Sequence, residues 1–228
     1  MLRRRALLKS TNNGNDENCI TLLHFDGNAN NSSQYPQTWN DLNTMYTQLA
    51  FKFGTHSAYD NYAVTQGEYV DFPIATNTSG IYHSYLSSDW TAELWFNMAT
   101  NVTIYSSTLI TLSKYSSSRA YLDFSLDNTS FTLRHSTDGS TFDYNNTWTI
   151  PTSKGVWHHL ALVKKDNLLT IYIDGIAKVS NISWAYTPNI NWTESVVGRY
   201  SFCYLDEFRF SNVARWTSNF TPPTEPYA

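Results

Sequence analysis

Charge is scarce in this sequence: only 15% of its 228 residues are Asp, Glu, Lys or Arg, and they leave a net charge of −4 at pH 7. A nucleic-acid partner requires a basic face, so this balance argues against one. Cysteine is scarcer still. Cys19 and Cys203 are the two in the chain, near its opposite ends. No long apolar run occurs either. Near the start, Arg3, Arg4, Arg5 and Lys9 surround only Ala6-Leu7-Leu8, whereas a secretory signal carries an apolar core of roughly 7–15 residues. No segment approaches the roughly 20 apolar residues of a membrane-spanning helix. With no export signal read, a reducing compartment is the default expectation and both thiols are expected free. A sustained helical period is missing too, as is any useful internal repeat.

Aromatic and hydroxyl side chains fill the space that charge leaves. Sixteen Tyr, 12 Phe and 8 Trp give bulk for one large core, and Ser, Thr and Asn are abundant. That mixture suits many short strands with polar outer faces better than helices. Strand candidates punctuated by turn residues run through the chain: 20–25, 68–72, 90–97, 108–113, 120–126, 130–136, 141–144, 195–197 and 203–210. Along 90–97, Leu94 and Phe96 alternate with Glu93 and Trp95. Asp138-Gly139 reads as a hairpin turn before Thr141, and Thr44 to Ala50 as a short turn or edge segment. Leu94 and Trp157 are expected in the core, Trp184 and Trp192 in loops.

The stretch Gly155 to Gly175 is the most specific. Val156-Trp157-His158-His159-Leu160-Ala161-Leu162-Val163 and Leu168-Leu169-Thr170-Ile171-Tyr172-Ile173 flank a polar turn, and Asp174-Gly175 closes the second strand. This hairpin resembles the centre of laminin-G-like, concanavalin A-type jelly rolls. The end of the chain adds a second likeness. Tyr204-Leu205-Asp206-Glu207-Phe208-Arg209-Phe210, then Ala214-Arg215-Trp216 and Asn219-Phe220-Thr221-Pro222-Pro223, resemble the closing segment of such domains in tailed-phage virion proteins. Leu22-Leu23-His24-Phe25-Asp26-Gly27 and Lys52-Phe53-Gly54 resemble their opening blocks. The resemblance implies an all-β, antiparallel two-sheet jelly-roll sandwich over residues 19–228, with first and last strands side by side and a Pro-rich strap at the C-terminus. Residues 1–18 form a basic, polar N-terminal arm: either a frayed terminus or, through Arg3, Arg4, Arg5 and Lys9, a docking segment for a larger assembly.

The candidate sites follow. Glycoside hydrolases of this broad fold place paired acids in a Glu-x-Asp-x-x-Glu strand, which is absent here, and Asp206-Glu207 should point to opposite faces. No enzyme is expected. His158-His159 cannot chelate one ion from a regular strand, so one imidazole is expected to bond backbone. The resemblance to laminarinase-like proteins implies one structural Ca²⁺ held by Asp26, its Asp-Gly carbonyls and Asp206; the alternative is a plain turn, with Asp206 bonding local amides. If Asp26 lay opposite Asp206, the ladder would hold Cys19 and Cys203 too far apart for a disulfide. Tyr35, Trp39, Tyr59, Tyr82, Tyr85, Trp148, Trp184, Tyr186 and Trp192 are loop aromatics of the type that stack on sugars or cap a core, and none stands out as the carbohydrate-binding residue. Of the nine Asn-x-Ser/Thr sequons, most are read as compositional in a chain read as unexported.

The function implied is that of a non-enzymatic virion structural protein, a head decoration or tail fibre or spike component, assembled in the host cytoplasm. Its expected partners are other virion proteins through the arm, arrayed copies of itself, and host-surface glycans, with no nucleic acid and no membrane insertion. The alternative is a carbohydrate-binding module of a cellular adhesin or glycan-active enzyme.

Overall fold

The computed structural model describes residues 15–35, 37–41, 45–59, 75–77, 83–100, 107–114, 119–149, 152–187, 194–199 and 202–228. The expected strand at 68–72 lies outside them. The first strands are β1 (Cys19–Leu23), β2 (Asn40–Asp41), β3 (Met45–Thr47), β4 (Ser57–Tyr59) and β5 (Ala75–Asn77). A four-residue helix (His83–Leu86) precedes β6 (Trp90–Met98), β7 (Ser107–Lys114), β8 (Leu122–Leu126), β9 (Ser130–His135) and β10 (Tyr144–Thr149). Then follow β11 (Trp157–Lys165), β12 (Leu168–Ile173), β13 (Ile176–Ser183), β14 (Glu194–Arg199) and β15 (Cys203–Ser211). They form two antiparallel sheets. The first has the order β13-β12-β11-β6-β15-β4-β3, with β1 also paired to β15; the second is β10-β9-β8-β7-β14-β5-β2. This is the all-β sandwich that the strand pattern predicts and the jelly roll that the resemblance implies.

The core lies between the sheets. Leu94, Phe96, Leu160, Leu162, Phe208 and Phe210 from the first meet Leu112, Phe124, Phe131 and Leu133 from the second, all essentially inaccessible. The hairpin turns explain the register. Asp166 and Asn167 have φ of 50° and 60°, and Asp174 and Gly175 have 53° and 74°, the left-handed pairs that a two-residue turn between twisted strands demands.

Four expectations are corrected. The Asp138-Gly139 segment is not a two-residue hairpin followed by a strand at 141–144. The Asp138 carboxylate accepts the Ser140 and Thr141 amides, and Asp143 accepts that of Thr137. These bonds hold a wider loop, so β10 pairs Tyr144 with His135 and carries Trp148 on a strand. A third strand, β13, follows the central hairpin where none was expected; its polar, half-exposed alternation marks a sheet edge. The ladder of β1 runs Thr21–Phe210, Leu22–Arg209 and Leu23–Phe208 and stops there, so Asp26 is not opposite Asp206. Finally, Trp184 is fully buried while Trp157 is only half buried. Trp184 packs edge-on to Tyr121 and Tyr186 and donates its Nε1–H to the Tyr121 hydroxyl at 3.1 Å.

Neither cysteine is in a disulfide, and both are buried. Cys19 lies opposite Ser211 and Cys203 opposite Met98, at the two ends of β15. At about 3.3 Å per residue they are roughly 25 Å apart.

Candidate ligand cleft and its supporting carboxylates

Directly paired residues of neighbouring strands project to the same face of a sheet. On the outer face of the first sheet the register therefore stacks four rows. Tyr59, Tyr204, Asn97 and Trp157 form one; Asp206, Trp95 and His159 the next; Arg209, Glu93, Ala161 and Tyr172 the third; Ser211, Thr91, Val163 and Thr170 the last. The outermost rows meet different fates.

The C-terminal tail seals the third and fourth rows. Thr91 Oγ1 donates to the Val213 carbonyl and accepts the Arg215 amide, at 2.8 and 2.9 Å. Trp216 stacks on Phe220 with centroids 4.0 Å apart, and Phe220 meets His159 and Tyr172 edgewise. Phe220 N–H bonds the Gly175 carbonyl, and a Cβ at Gly175 would collide with the Phe220 carbonyl. Only glycine fits there. Under the tail, Glu93 is completely buried. Arg209 gives its Oε1 two bonds, at 2.8 and 2.6 Å, and Trp216 Nε1 gives Oε2 one at 2.9 Å. Burial pushes the Glu93 carboxyl up, but Arg209, His159 and Trp216 outweigh it and hold the group well below the usual range. The Arg209 guanidinium lies 3.8 Å from the Tyr227 ring. Both Glu93 oxygens are taken by partners within this buried charge network, and its place is structural.

The loop 51–56 covers the second row. Phe53 meets Trp95 edge-on at 5.9 Å, and the Lys52 ammonium lies 4.0 Å above the same indole. Two carboxylates anchor the loop. Asp206 Oδ2 accepts the Lys52 and Phe53 amides at 2.8 and 3.1 Å; Asp26 Oδ1 accepts those of Thr55 and His56 at 2.6 and 3.0 Å. Gly54, at φ 63°, lets the Asp26 carboxylate come closer than any Cβ would allow. Asp26 and Asp206, paired by the sequence reading, thus act on one loop rather than across one ladder. A bulge at Glu207 (φ 50°) breaks the alternation that puts 206 and 207 on opposite faces. Glu207 accepts the Tyr227 amide at 3.0 Å and bonds His24 Nδ1 at 2.8 Å.

Asp206 carries an unusual deficit. It is fully buried, and its Oδ1 has no hydrogen-bond partner. Burial, with Glu207 and Asp26 close by, raises its carboxyl to about 8 against the pull of the loop amides. An orphaned carboxylate oxygen among acidic neighbours fits a hard cation with oxygen-only ligation. Among the described residues no cluster of three or more His, Cys, Asp or Glu is poised around a metal, so the remaining ligands would be carbonyls or water.

The first row is left open. A cleft of about 350 Å³ lies over it, lined by Ala50, Asn97, Met98, Ala99, Thr100, Gly155 and Tyr204. Tyr204 is held by stacking on Tyr59, with centroids 4.6 Å apart and planes inclined at 24°. Asn97 is only 5% exposed and its Oδ1 has no partner. Gly155, at φ 73°, donates its amide to the Met98 carbonyl and brings its backbone so near Thr100 that a Cβ would lie 2.9 Å from the methyl. Below the mouth, Ser153 N–H donates to His158 Nε2, so Nδ1 carries the proton and donates to Asp174 Oδ2 at 2.7 Å. Asp174 Oδ1 accepts the His159 amide. The His-His and Asp-Gly motifs are therefore one brace. His158 meets Phe96 and His159 meets Trp95, on opposite faces of the sheet.

The loop aromatics divide accordingly. Tyr59 flanks the cleft. Trp39 packs edge-on to Phe208, Trp184 and Tyr186 pack around His135, and Trp148 stands on β10 against the core. Tyr35 and Tyr85 are half buried against the core as well. Tyr82, Trp192 and the arm residues Arg3, Arg4, Arg5 and Lys9 lie outside the described residues. The sequence reading missed Asn97 and Tyr204. Their signal was positional: both alternate with core residues on strands that become neighbours only in the fold.

The sequence profile of the laminin G-type domain of the concanavalin A-like lectin/glucanase superfamily matches residues 64–218. No curated protein sequence matches the chain. Among solved structures, it is similar to the binding domain of Paraclostridial Mosquitocidal Protein 1, at 12% identity and a TM-score of 0.63, over 86% of this chain and 49% of that one. It is similar to a botulinum neurotoxin DC binding domain in complex with rat synaptotagmin II, at 11% identity and a TM-score of 0.58, over 86% and 48%. A Trypanosoma rangeli sialidase in complex with sialic acid gives 12% and 0.64, over 87% and 31%. The chain thus spans half or less of these structures, and the likeness is one of fold.

Proposed function

Because the chain belongs to the concanavalin A-like lectin/glucanase superfamily, we propose that it is a non-enzymatic glycan-binding jelly roll displayed on a tailed-phage virion. The open cleft carries the binding half of this reading: stacked tyrosines beside an unpartnered, buried amide oxygen are a platform for a sugar ring. The toxin binding domains and the sialidase of similar fold, some captured with sialylated ligands or sialic acid, support glycan binding as well. Catalysis is not part of the reading. Hydrolysis requires two acids flanking the scissile bond, whereas Glu93 lies under the tail, Asp206 under the loop, and no carboxylate lines the cleft among the described residues.

The virion half rests on the resemblance of the opening and closing blocks to phage structural proteins, with Arg3, Arg4, Arg5 and Lys9 docking on acidic groups of a partner. Asp26 and Asp206 hold a structural Ca²⁺ that braces the loop 51–56. The test has two arms. The purified protein is applied to an array of bacterial-surface and animal glycans, where binding to none of them overturns the glycan reading. A form starting at Asn15 is then offered to particles lacking the native copy; normal incorporation would show that the arm is not the anchor. Asn15 is the proper start because Asn15 N–H bonds the Ala228 carbonyl and Asp16 forms a bidentate pair with Arg215.

A further inference from the structure

We infer that the cleft beside Asn97 takes the end of a neutral pyranose chain, with a ring hydroxyl donating to Asn97 Oδ1 and the ring face lying on Tyr204. This rests on the glycan-binding reading and narrows it to one site and one class of sugar. Three observations carry it.

The first is the demand of Asn97. Its amide is 95% buried and its Oδ1 has no partner among the described residues, while the cleft opens beside it. A buried acceptor without a donor is costly, so the site gains from a ligand that brings an O–H or N–H. Sugar hydroxyls do so, and an aliphatic or purely aromatic ligand does not.

The second is shape. Tyr204 is fixed by the Tyr59 ring behind it, and β15 and β4 hold the pair in register. A preorganised aromatic face is suited to the apolar C–H face of a pyranose. At about 350 Å³ the cleft lies near the lower end of the range for small-molecule sites, roughly 300–1,000 Å³, which suits a chain end rather than an extended polymer.

The third is charge. None of the seven lining residues is ionisable except the tyrosine. The nearby basic side chains are engaged elsewhere: the Lys52 ammonium lies over Trp95, and the His158 ring accepts the Ser153 amide at Nε2 and donates to Asp174 from Nδ1. A carboxylated sugar entering this cleft would give up water around its charge with no counter-charge in return. The specificity is therefore opposite to that of a site built for sialic acid.

Ligand-observed NMR on residues 1–228 tests this, using methyl β-galactoside, methyl β-glucoside, methyl α-mannoside and N-acetylneuraminic acid as probes. At least one neutral glycoside should saturate while N-acetylneuraminic acid does not. Asn97→Ala should weaken the neutral ligand at least tenfold. Because Asn97 is buried, a second variant guards against misfolding: Ala50→Trp fills the cleft from its loop wall and should abolish binding with melting unchanged. Tyr204→Phe keeps the stack and should retain binding. Binding of N-acetylneuraminic acid that Ala50→Trp removes would overturn the inference, as would neutral binding indifferent to both Asn97→Ala and Ala50→Trp; either result leaves glycan binding standing. No binding by these probes or by any glycan on the array would overturn both readings.

Discussion

The sequence sets Trp157 in the core and Trp184 in a loop, and their positions in the fold reverse that expected order of importance. Trp184 is sealed among Tyr121, His135 and Tyr144 and satisfies its indole N–H on a buried hydroxyl. Trp184→Ala should cost about 3–5 kcal/mol, against roughly 1–2 kcal/mol for the half-exposed Trp157→Ala. Urea unfolding of the two variants checks the order. Asp174 yields a pH prediction. Burial acts to raise its carboxyl, but bonds from the His158 side chain and the His159 amide outweigh it and hold the group below the usual range. Because the native value is depressed, its contribution is present above the unfolded value of about 3.9 and fades as pH falls through the native one. Asp174→Asn keeps a residue that tolerates φ of 53° and removes the charge. It should cost about 1 kcal/mol near neutrality, and the gap in urea midpoint should close as the pH falls below 4.

At the level of elements, the loop 51–56 depends on two carboxylates and the tail on two stacked aromatics. If Ca²⁺ binds at Asp206, metal-stripped protein should melt below the calcium-saturated form by about 5–10 °C, the shift expected for a ligand at a hundredfold its dissociation constant. Asp206→Asn should abolish the difference, and an unchanged midpoint in calorimetry would refute the site. The tail makes a harsher prediction. Removing residues 213–228 uncovers Glu93, Arg209 and His159 and takes away the Trp216 bond and the Tyr227 ring that compensate the buried Glu93–Arg209 pair. That truncation should fail to give cooperatively folded protein, as judged by near-ultraviolet circular dichroism. The central hairpin was legible because Asp166-Asn167 and Asp174-Gly175 are local turn signals. The long loop after His135 was not, since Asp138 and Asp143 could have served a tight turn or a wide one. The strand β13 stayed hidden because an edge strand needs no strong apolar alternation.

For the whole molecule, closure of the sandwich by β1 against β15 was readable from the resemblance of the two chain-end blocks to jelly rolls, which set first and last strands side by side and leave few edges unpaired. The cleft was not readable, because Tyr59, Asn97, Trp157 and Tyr204 come from four separate strands and acquire a common row only through the ladder. The amide of Asn15 bonds the carbonyl of Ala228 at 3.1 Å, so the chain enters and leaves the sandwich at a single point. Geometrically the domain is a cassette: a few residues joining 228 to 15 would make it circular, and the chain could be reopened at the solvent-exposed Asp166-Asn167 turn with the fold retained. The same geometry would let the sandwich be spliced into a surface turn of another protein while leaving that host's two halves side by side.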